Sequence, residues 1–524
     1  GYAFADADTN EILNVSHVNL QGQNSNVTVV KIPLTINPEA ETSWYYNSAE
    51  HSLQMNAQPT TTGNEITYEW YDGDKKLECT SDTYTVPKTT SIGNYTYTCK
   101  AACDGYTLSH DFTFTVEECK HEGVEITFNS NGFGNCPKCN ATVYQPAVET
   151  TDKYDIDDDS MKENVYEISN AGQLYWFAGL VNGTLDGVEQ NTLANAILTA
   201  NITVNENLLD SLQYDTEGNV SNGSDFITWT PIADCMEDHI TLYSGTFDGN
   251  NKTVSGLYFN DNSARIGLFG SSEADGNIKN VGVVDSYFKG NNFVGGVCGR
   301  NDGTITNCYN AGNLTAIESS ATIGGICGYN NGGTVTNCYN TGTVTATGSV
   351  ASVGGVCGCS FAPISNCYNI GTVTATGSGS DISGICGYNF GPIKNCYHLA
   401  DTEDENGGKT TEQFASGEVA YLLSQGCTVG EGEDAVTYSG SVWGQALGGN
   451  GDTYPVLDIT KRVYQVDKYD GCEGKPGSST KVYSNQSTSI YEEHSFAYEP
   501  VENGNAIKAT CSECGATYTV KLTQ

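Results

Sequence analysis

Residues 295–312 read GGVCGRNDGTITNCYNAG, and three near-copies follow: GGICGYNNGGTVTNCYNTG at 324–342, GGVCGCSFAPISNCYNIG at 354–371 and SGICGYNFGPIKNCYHLA at 383–400. Cys298, Cys327, Cys357 and Cys386 fall 29, 30 and 29 residues apart, while Cys308, Cys338, Cys367 and Cys396 fall 30, 29 and 29 apart. A period in this range marks a solenoid, a propeller or an array. Each copy carries two or three short runs of β-formers broken by Gly or Asn, and no stretch of helical period. The unit is also too short for a four-stranded blade of about 40 residues. The spacing therefore predicts one coil of a parallel β-helix per copy, with strands stacked ~4.8 Å apart.

Stacking turns each position of the repeat into a ladder. The Gly pairs 295–296, 324–325 and 354–355, interrupted at Ser383, are expected to line a corner where only Gly permits the turn and close packing. Asn307, Asn337, Asn366 and Asn395 form a second ladder, and Asn tolerates the left-handed region better than other non-Gly residues. A left-handed bend there breaks strict alternation, placing Cys308 inside and Tyr309 outside. Tyr309, Tyr339, Tyr368 and Tyr397 would then form an exposed aromatic row able to stack on sugar rings, unless a neighbouring segment covers it. The cysteines have two readings. They are within-coil disulfides, Cys298–Cys308, Cys327–Cys338, Cys357–Cys367 and Cys386–Cys396, or buried free thiols acting as small apolar fillers. Neither is catalytic, since an active thiol needs a base and an electropositive pocket, and only His398 lies near a pair.

Composition narrows the function class. Across 524 residues, 23 Lys+Arg against 63 Asp+Glu give a net charge of −40, which repels nucleic acid and anionic membrane surfaces. Sixty Gly and 32 Tyr beside three Met favour turns and strands. No apolar run is long enough to span a membrane. The opening GYAFADADTNEILN lacks the features of a secretory signal and is read as cut, so that signal and anchor are not in this chain. Twenty Cys suit an oxidising compartment or bound metal.

The pattern GG[VI]CGxNxGxIxNCYNxG resembles the GLUG motif of bacterial surface and secreted proteins. YSGTFDGNNKTVSGLYF (243–259), RIGLFG (265–270) and NIKNVGVVDSYFKG (277–290) resemble the coils that precede such repeats, and WGQALGGNGDTYPVL (443–457) resembles the segment that follows them. The likeness covers roughly residues 160–460. It implies a right-handed parallel β-helix on the outside of a bacterium, of the gut Firmicute type, and no particular activity. Some members carry a zinc metalloprotease, but the seven His, at 17, 51, 110, 121, 239, 398 and 494, contain no pair four residues apart, so an H-E-x-x-H site is absent. For a lyase or hydrolase, Asp248, Asp285 and Asp302 are the available carboxylates, each in a turn context where Asp is expected anyway.

The flanks read differently. Residues 50–118, with Trp70 in a central strand and Tyr97 two residues before Cys99, resemble an immunoglobulin-like sandwich, with Cys79–Cys99 as a candidate bridge. Cys119-x-His121 followed by Cys136-Pro-Lys-Cys139 resembles a zinc-ribbon knuckle, and Cys472, His494, Cys511 and Cys514 form a looser second set. Disulfides are the alternative for both. The expected organisation is a partial β module (1–49), the sandwich (50–118), a Cys/His-rich module (119–150), an acidic linker (151–164) around DKYDIDDDS, the β-helix (165–460) and a Cys-rich β module (461–524). TEQFASGEVAYLLS (411–424) is expected to be a short helix capping the open end of the solenoid. The whole is all-β. The expected function is a non-enzymatic extracellular adhesin or stalk that presents a face to host or microbial glycan, mucin or protein. A pure spacer and a carbohydrate-active enzyme are the alternatives. No cofactor is required beyond structural zinc.

Overall fold

The computed structural model describes residues 13–18, 24–29 and 34–521, apart from 47, 60–64, 89, 104–105, 122, 158, 237–238, 405 and 433–434. The reading of the first residues as a cut terminus therefore lies outside the described residues. The chain divides into two compact units, residues 1–129 with 133–143, and residues 130–132 with 144–524.

The first unit is built on alternating strands. Tyr106–Glu117 and Gly93–Cys103 pair along their length, with Thr67–Asp72 on one side and Ser43–Tyr45 on the other. Leu34–Ile36 pairs with Ala57–Pro59, and His51–Gln54 with Thr83–Val86. All contribute to one core around Trp70, Leu53, Met55, Phe112 and Phe114. The indole of Trp70 is fully enclosed, and its Nε1–H donates to Ser81 O at 2.8 Å, which satisfies the one polar atom burial would otherwise penalise. This module begins before residue 50, because Ser43–Tyr45 forms an edge of the five-stranded sheet and Leu34 lies in the shared core. Cys79 and Cys99 share the core as free thiols and not as the predicted bridge, the Cys79 thiol reaching Thr83 O at 3.4 Å.

The second unit is dominated by a parallel β-solenoid with a few short helices, followed by two small sheets of largely antiparallel strands over residues 464–491 and 496–521. Val294–Gly295, Thr322–Gly324, Ser352–Gly354 and Asp381–Ser383 stack as one parallel sheet. Phe269–Ser272, Cys298–Asn301, Cys327–Asn330, Cys357–Ser360 and Cys386–Asn389 stack as another. Thr304–Thr306, Tyr309–Ala316 and their equivalents continue an 18-stranded sheet that begins in the coils upstream. Register follows the repeat, with Cys298, Cys327, Cys357 and Cys386 paired in succession.

The glycine pairs give the close packing expected of them, the first of each pair against backbone and the second against a buried Asn. Their φ values are ordinary. A Cβ on Gly325 or Gly355 would instead come within 2.4 Å of Asn340 Cγ or 2.3 Å of Asn369 Cγ. Their missing side chains make room for a buried amide ladder in which Asn310 donates to Asn340, and Asn340 to Asn369, each at 2.8 Å. Such ladders satisfy polar groups along a dry axis.

Helix Ala171–Asn182 packs Tyr175 on Trp229 and Phe177 on Tyr243 and Phe247. It starts where the Asn170 side chain accepts the Gln173 N–H and stops at left-handed Gly183. Residues 151–164 form no separate linker. Val148–Tyr154 and Glu163–Ile168 pair antiparallel, and the acidic run is their loop. Among the described residues no helix is long and apolar enough to cross a membrane.

Candidate functional site

The repeat corner sets which side chains face out. Asn307, Asn337, Asn366 and Asn395 take φ values of 55°, 53°, 52° and 53°, so the chain bends as their residue type predicts. Cys308, Cys338 and Cys367 turn inward to zero exposure, and the following tyrosines lie on the opposite side. Tyr309 and Tyr339 stack at 4.7 Å, and Tyr339 and Tyr368 at 5.0 Å, with nearly parallel planes.

This row is not the exposed face expected of it. Residues 411–424 form two short helices, Thr411–Ala415 and Glu418–Ser424, broken at left-handed Gly417. Expected to cap the open end of the solenoid, they do reach its last repeat, where Asn395 Nδ2 donates to Leu422 O at 3.1 Å, but they cover more than the end. With Trp443 they lie across the tyrosines, where Phe414, Val419, Leu423 and Trp443 form one buried cluster with Tyr368. Tyr368 is 1% exposed, and its hydroxyl donates to Pro455 O at 2.6 Å. The corner amides fasten the same strap, Asn337 Nδ2 donating to Ser439 O and Asn366 Nδ2 to Tyr438 O, each at 3.1 Å. The apolar side chains of residues 414–443 gain more by covering the rings than by facing water, so Tyr339 and Tyr368 are packing residues, and Tyr309 and Tyr397 are half-buried.

The eight repeat cysteines stand as free thiols in two inner ladders, and not as the pairs Cys298–Cys308, Cys327–Cys338, Cys357–Cys367 and Cys386–Cys396. Cys308, Cys338, Cys367 and Cys396 each reach the carbonyl two residues upstream, at 3.2, 3.2, 3.1 and 3.3 Å. Each thus tucks under the left-handed corner. Burial pushes the thiols of Cys298, Cys338, Cys357, Cys367 and Cys396 well above their ordinary value, the inert end of cysteine chemistry.

An aromatic row that the repeat pattern does not announce lies uncovered on another face. Phe293 meets Tyr329 at 5.2 Å, Tyr329 meets Phe361 at 5.8 Å, Phe361 stacks on Phe390 at 4.6 Å, and Tyr388 meets Phe390 edge-on at 4.7 Å. Phe361, Phe390 and Tyr388 are 47%, 59% and 48% exposed, and the row crosses four coils. Polar groups border it: Arg300 Nε donates to Asp302 Oδ2 at 2.8 Å, and Asn331 Nδ2 to Asp302 Oδ1 at 2.5 Å. The signal was hidden because the turn position reads Asp302, Asn331, Phe361 and Phe390 in successive copies.

The carboxylates considered for catalysis have separate structural tasks. Asp285 accepts the N–H groups of Leu208 and Leu209, both at 2.9 Å. Asp248 accepts Asn280 Nδ2 at 2.9 Å, and Asp302 is held by Arg300 and Asn331. A cleft of about 650 Å³ opens at the final coil, lined by Ser383, Ile385, Cys396, His398 and Asp404. The Cys396 thiol there points to Ile364 O and Lys394 O.

Two clusters of metal-ligating type are brought together. The ligand atoms of Cys119, His121, Cys136 and Cys139 all lie within 4.8 Å of one another, as do those of Cys472, His494, Cys511 and Cys514. In the first, Cys119 and Cys136 sulfurs are 3.8 Å apart, and His121 Nε2 is 3.3 Å from Cys139 Sγ. In the second, Cys472 and Cys511 sulfurs are 3.5 Å apart, and His494 Nδ1 is 3.2 Å from Cys514 Sγ. The first is enclosed by Tyr45, Val124, Ala141 and Val143. Against the upward push of burial, the N–H groups of Cys139 and Lys138 bring the Cys136 thiol below its ordinary value. The N–H of Cys514 draws Cys511 down to about 6. Asp155, Asp157, Asp159 and Glu163 also gather, in the exposed hairpin loop.

Comparison with known proteins places the repeats. The model of the GLUG motif matches residues 319–345, one turn of the solenoid. Halomucin of Haloquadratum walsbyi is 30% identical over 156 residues, covering 28% of this chain and 2% of its own length. This chain thus spans a small fraction of that relative. No solved structure matches. The central coils of this β-solenoid are therefore repeats of the GLUG type.

Proposed function

We propose that this chain is a non-enzymatic, surface-displayed solenoid that binds a neutral glycan along the row Phe293, Tyr329, Phe361, Phe390 and Tyr388. The observation that carries the reading is the exposure of this row beside a second, roofed one. Phe414, Leu423 and Trp443 cover Tyr339 and Tyr368, while the phenylalanines of the other row stay in water, where a lone apolar patch is a mark of contact with a partner. Aromatic rings bordered by an amide, a carboxylate and a guanidinium suit the apolar faces and hydroxyl edges of sugars. The charge of −40 opposes sulfated or sialylated ligands. GLUG-type repeats and a relative whose name denotes a mucin support a place outside a bacterial or archaeal cell.

The test is binding of the full chain to a glycan and mucin array. Specific hits are expected, lost in Phe361→Ala/Phe390→Ala and kept in Tyr498→Ala, which removes an exposed ring elsewhere. A blank array would leave a structural spacer, and hits indifferent to the double variant would place the binding face away from this row.

A further inference from the structure

The two Cys/His clusters lie in stretches that share no obvious overall likeness, yet their ligands come in the same order: Cys, His, Cys, Cys. Between them stand 1, 14 and 2 residues in the first cluster, and 21, 16 and 2 in the second. The ends coincide further, as CPKCNAT at 136–142 and CSECGAT at 511–517. Backbone geometry repeats as well. The residue after the last Cys is left-handed in both, Asn140 at φ 57° and Gly515 at φ 77°. Cys136 N–H donates to Ala141 O at 2.9 Å, and Cys511 N–H donates to Ala516 O at 2.8 Å. Asn140 N–H returns to Cys136 O at 2.8 Å, and Gly515 N–H returns to Cys511 O at 3.0 Å. Each knuckle is therefore the same turn, with one more Cys and a His brought against it.

We infer that these are two copies of one structural zinc module, each holding a single Zn²⁺ through three thiolates and one imidazole. The distances carry the assignment. Tetrahedral zinc with Zn–S of about 2.3 Å and Zn–N of about 2.0 Å sets ligand atoms ~3.8 Å apart for S···S and ~3.5 Å for S···N. The observed 3.8 and 3.5 Å between sulfurs, and 3.3 and 3.2 Å between sulfur and nitrogen, lie within about 0.3 Å of those edges. A disulfide brings its sulfurs to about 2.05 Å and leaves the imidazole no part to play. Four protein ligands fill the tetrahedron, so neither site keeps an open position for substrate, and the soft thiolates select zinc over calcium or magnesium. Small sheets with little core of their own gain folding energy from such a metal. The inserted residues between Cys472 and His494 include strand Ser479–Ser484, which lengthens the copy without altering its ligand set.

The test uses the full chain purified under reducing conditions. Elemental analysis is expected to give two zinc per chain, and replacement by Co²⁺ to give the intense visible absorption of tetrahedral thiolate-bound cobalt. Cys139→Ser and Cys514→Ser each lower the zinc content from two to one, and the double variant lowers it to none. His121→Cys and His494→Cys, which keep four ligands, retain both metals even where the serine variants fail to fold. Mass-spectrometric detection of Cys119–Cys136 or Cys472–Cys511 disulfides, or a zinc content of zero, would overturn the assignment. A content of one in the unaltered chain would overturn the duplication.

Discussion

At the scale of single residues, the repeat is held by what is buried beside each glycine. A Cβ at Gly355 would lie 2.1 Å from Gly384 O and 2.3 Å from Asn369 Cγ, so Gly355→Ala overpacks a site that has no slack. It is expected to cost about 1–3 kcal/mol in urea unfolding of the full chain. An unchanged midpoint would mean that the amide ladder is looser than its 2.8 Å bonds imply. The inner thiols make a second prediction. Because all eight repeat cysteines are buried, they should resist iodoacetamide in the native chain and react fully after denaturation without a reductant. Half or more remaining unlabelled in denaturant would restore the within-coil disulfides. The Asn307 corner and the inward cysteine were legible from the pattern NCYN. The buried role of the next Asn, at 310, 340 and 369, was not, because which amide faces its neighbour depends on where the bend falls.

At the scale of elements, the strap over the tyrosines is the least redundant part of the solenoid. Trp443 is fully buried and lies 5.5 Å from Tyr368 and 6.0 Å from Tyr339. Trp443→Ala should cost about 3–5 kcal/mol of local stability. The loss would appear as faster amide exchange and protease cleavage around Tyr438 and Ser439, with the coils upstream unaffected. Cleavage confined to other segments would show that the strap is held without Trp443. Sequence indicated helical residues at 411–424 and did not show that they cover the tyrosines. Helical spacing says that one face is apolar, and the tertiary fold alone says against which surface that face lies. Helix Ala171–Asn182 had its signals in Asn170 and Gly183, but its residues are buried nearly all round, so no amphipathic stripe announced it.

At the scale of the whole molecule, a charge of −40 is spread over a chain whose coils contact mainly their neighbours. Self-repulsion then lowers stability at low ionic strength, and the melting temperature should rise between roughly 10 and 150 mM NaCl as the Debye length falls to about 8 Å. A flat response would mean that the carboxylates are already neutralised by bound cations, for which the Asp155, Asp157, Asp159 and Glu163 loop would be the first place to look. The repeat by itself determined the period, the parallel stacking, the corner and the inward cysteines, because identical residues at a fixed spacing must stack on one another whatever surrounds them. That Cys119, His121, Cys136 and Cys139, and likewise Cys472, His494, Cys511 and Cys514, come together was also readable, since a C-x-x-C turn is local and Cys and His at such spacing are few. Only the tertiary structure decided which aromatic row meets water. The tyrosines are alike in every copy, yet Tyr339 and Tyr368 are roofed by residues more than 40 positions further on, Phe414, Leu423 and Trp443, and Phe361 and Phe390 become a row only when register sets unlike turns side by side.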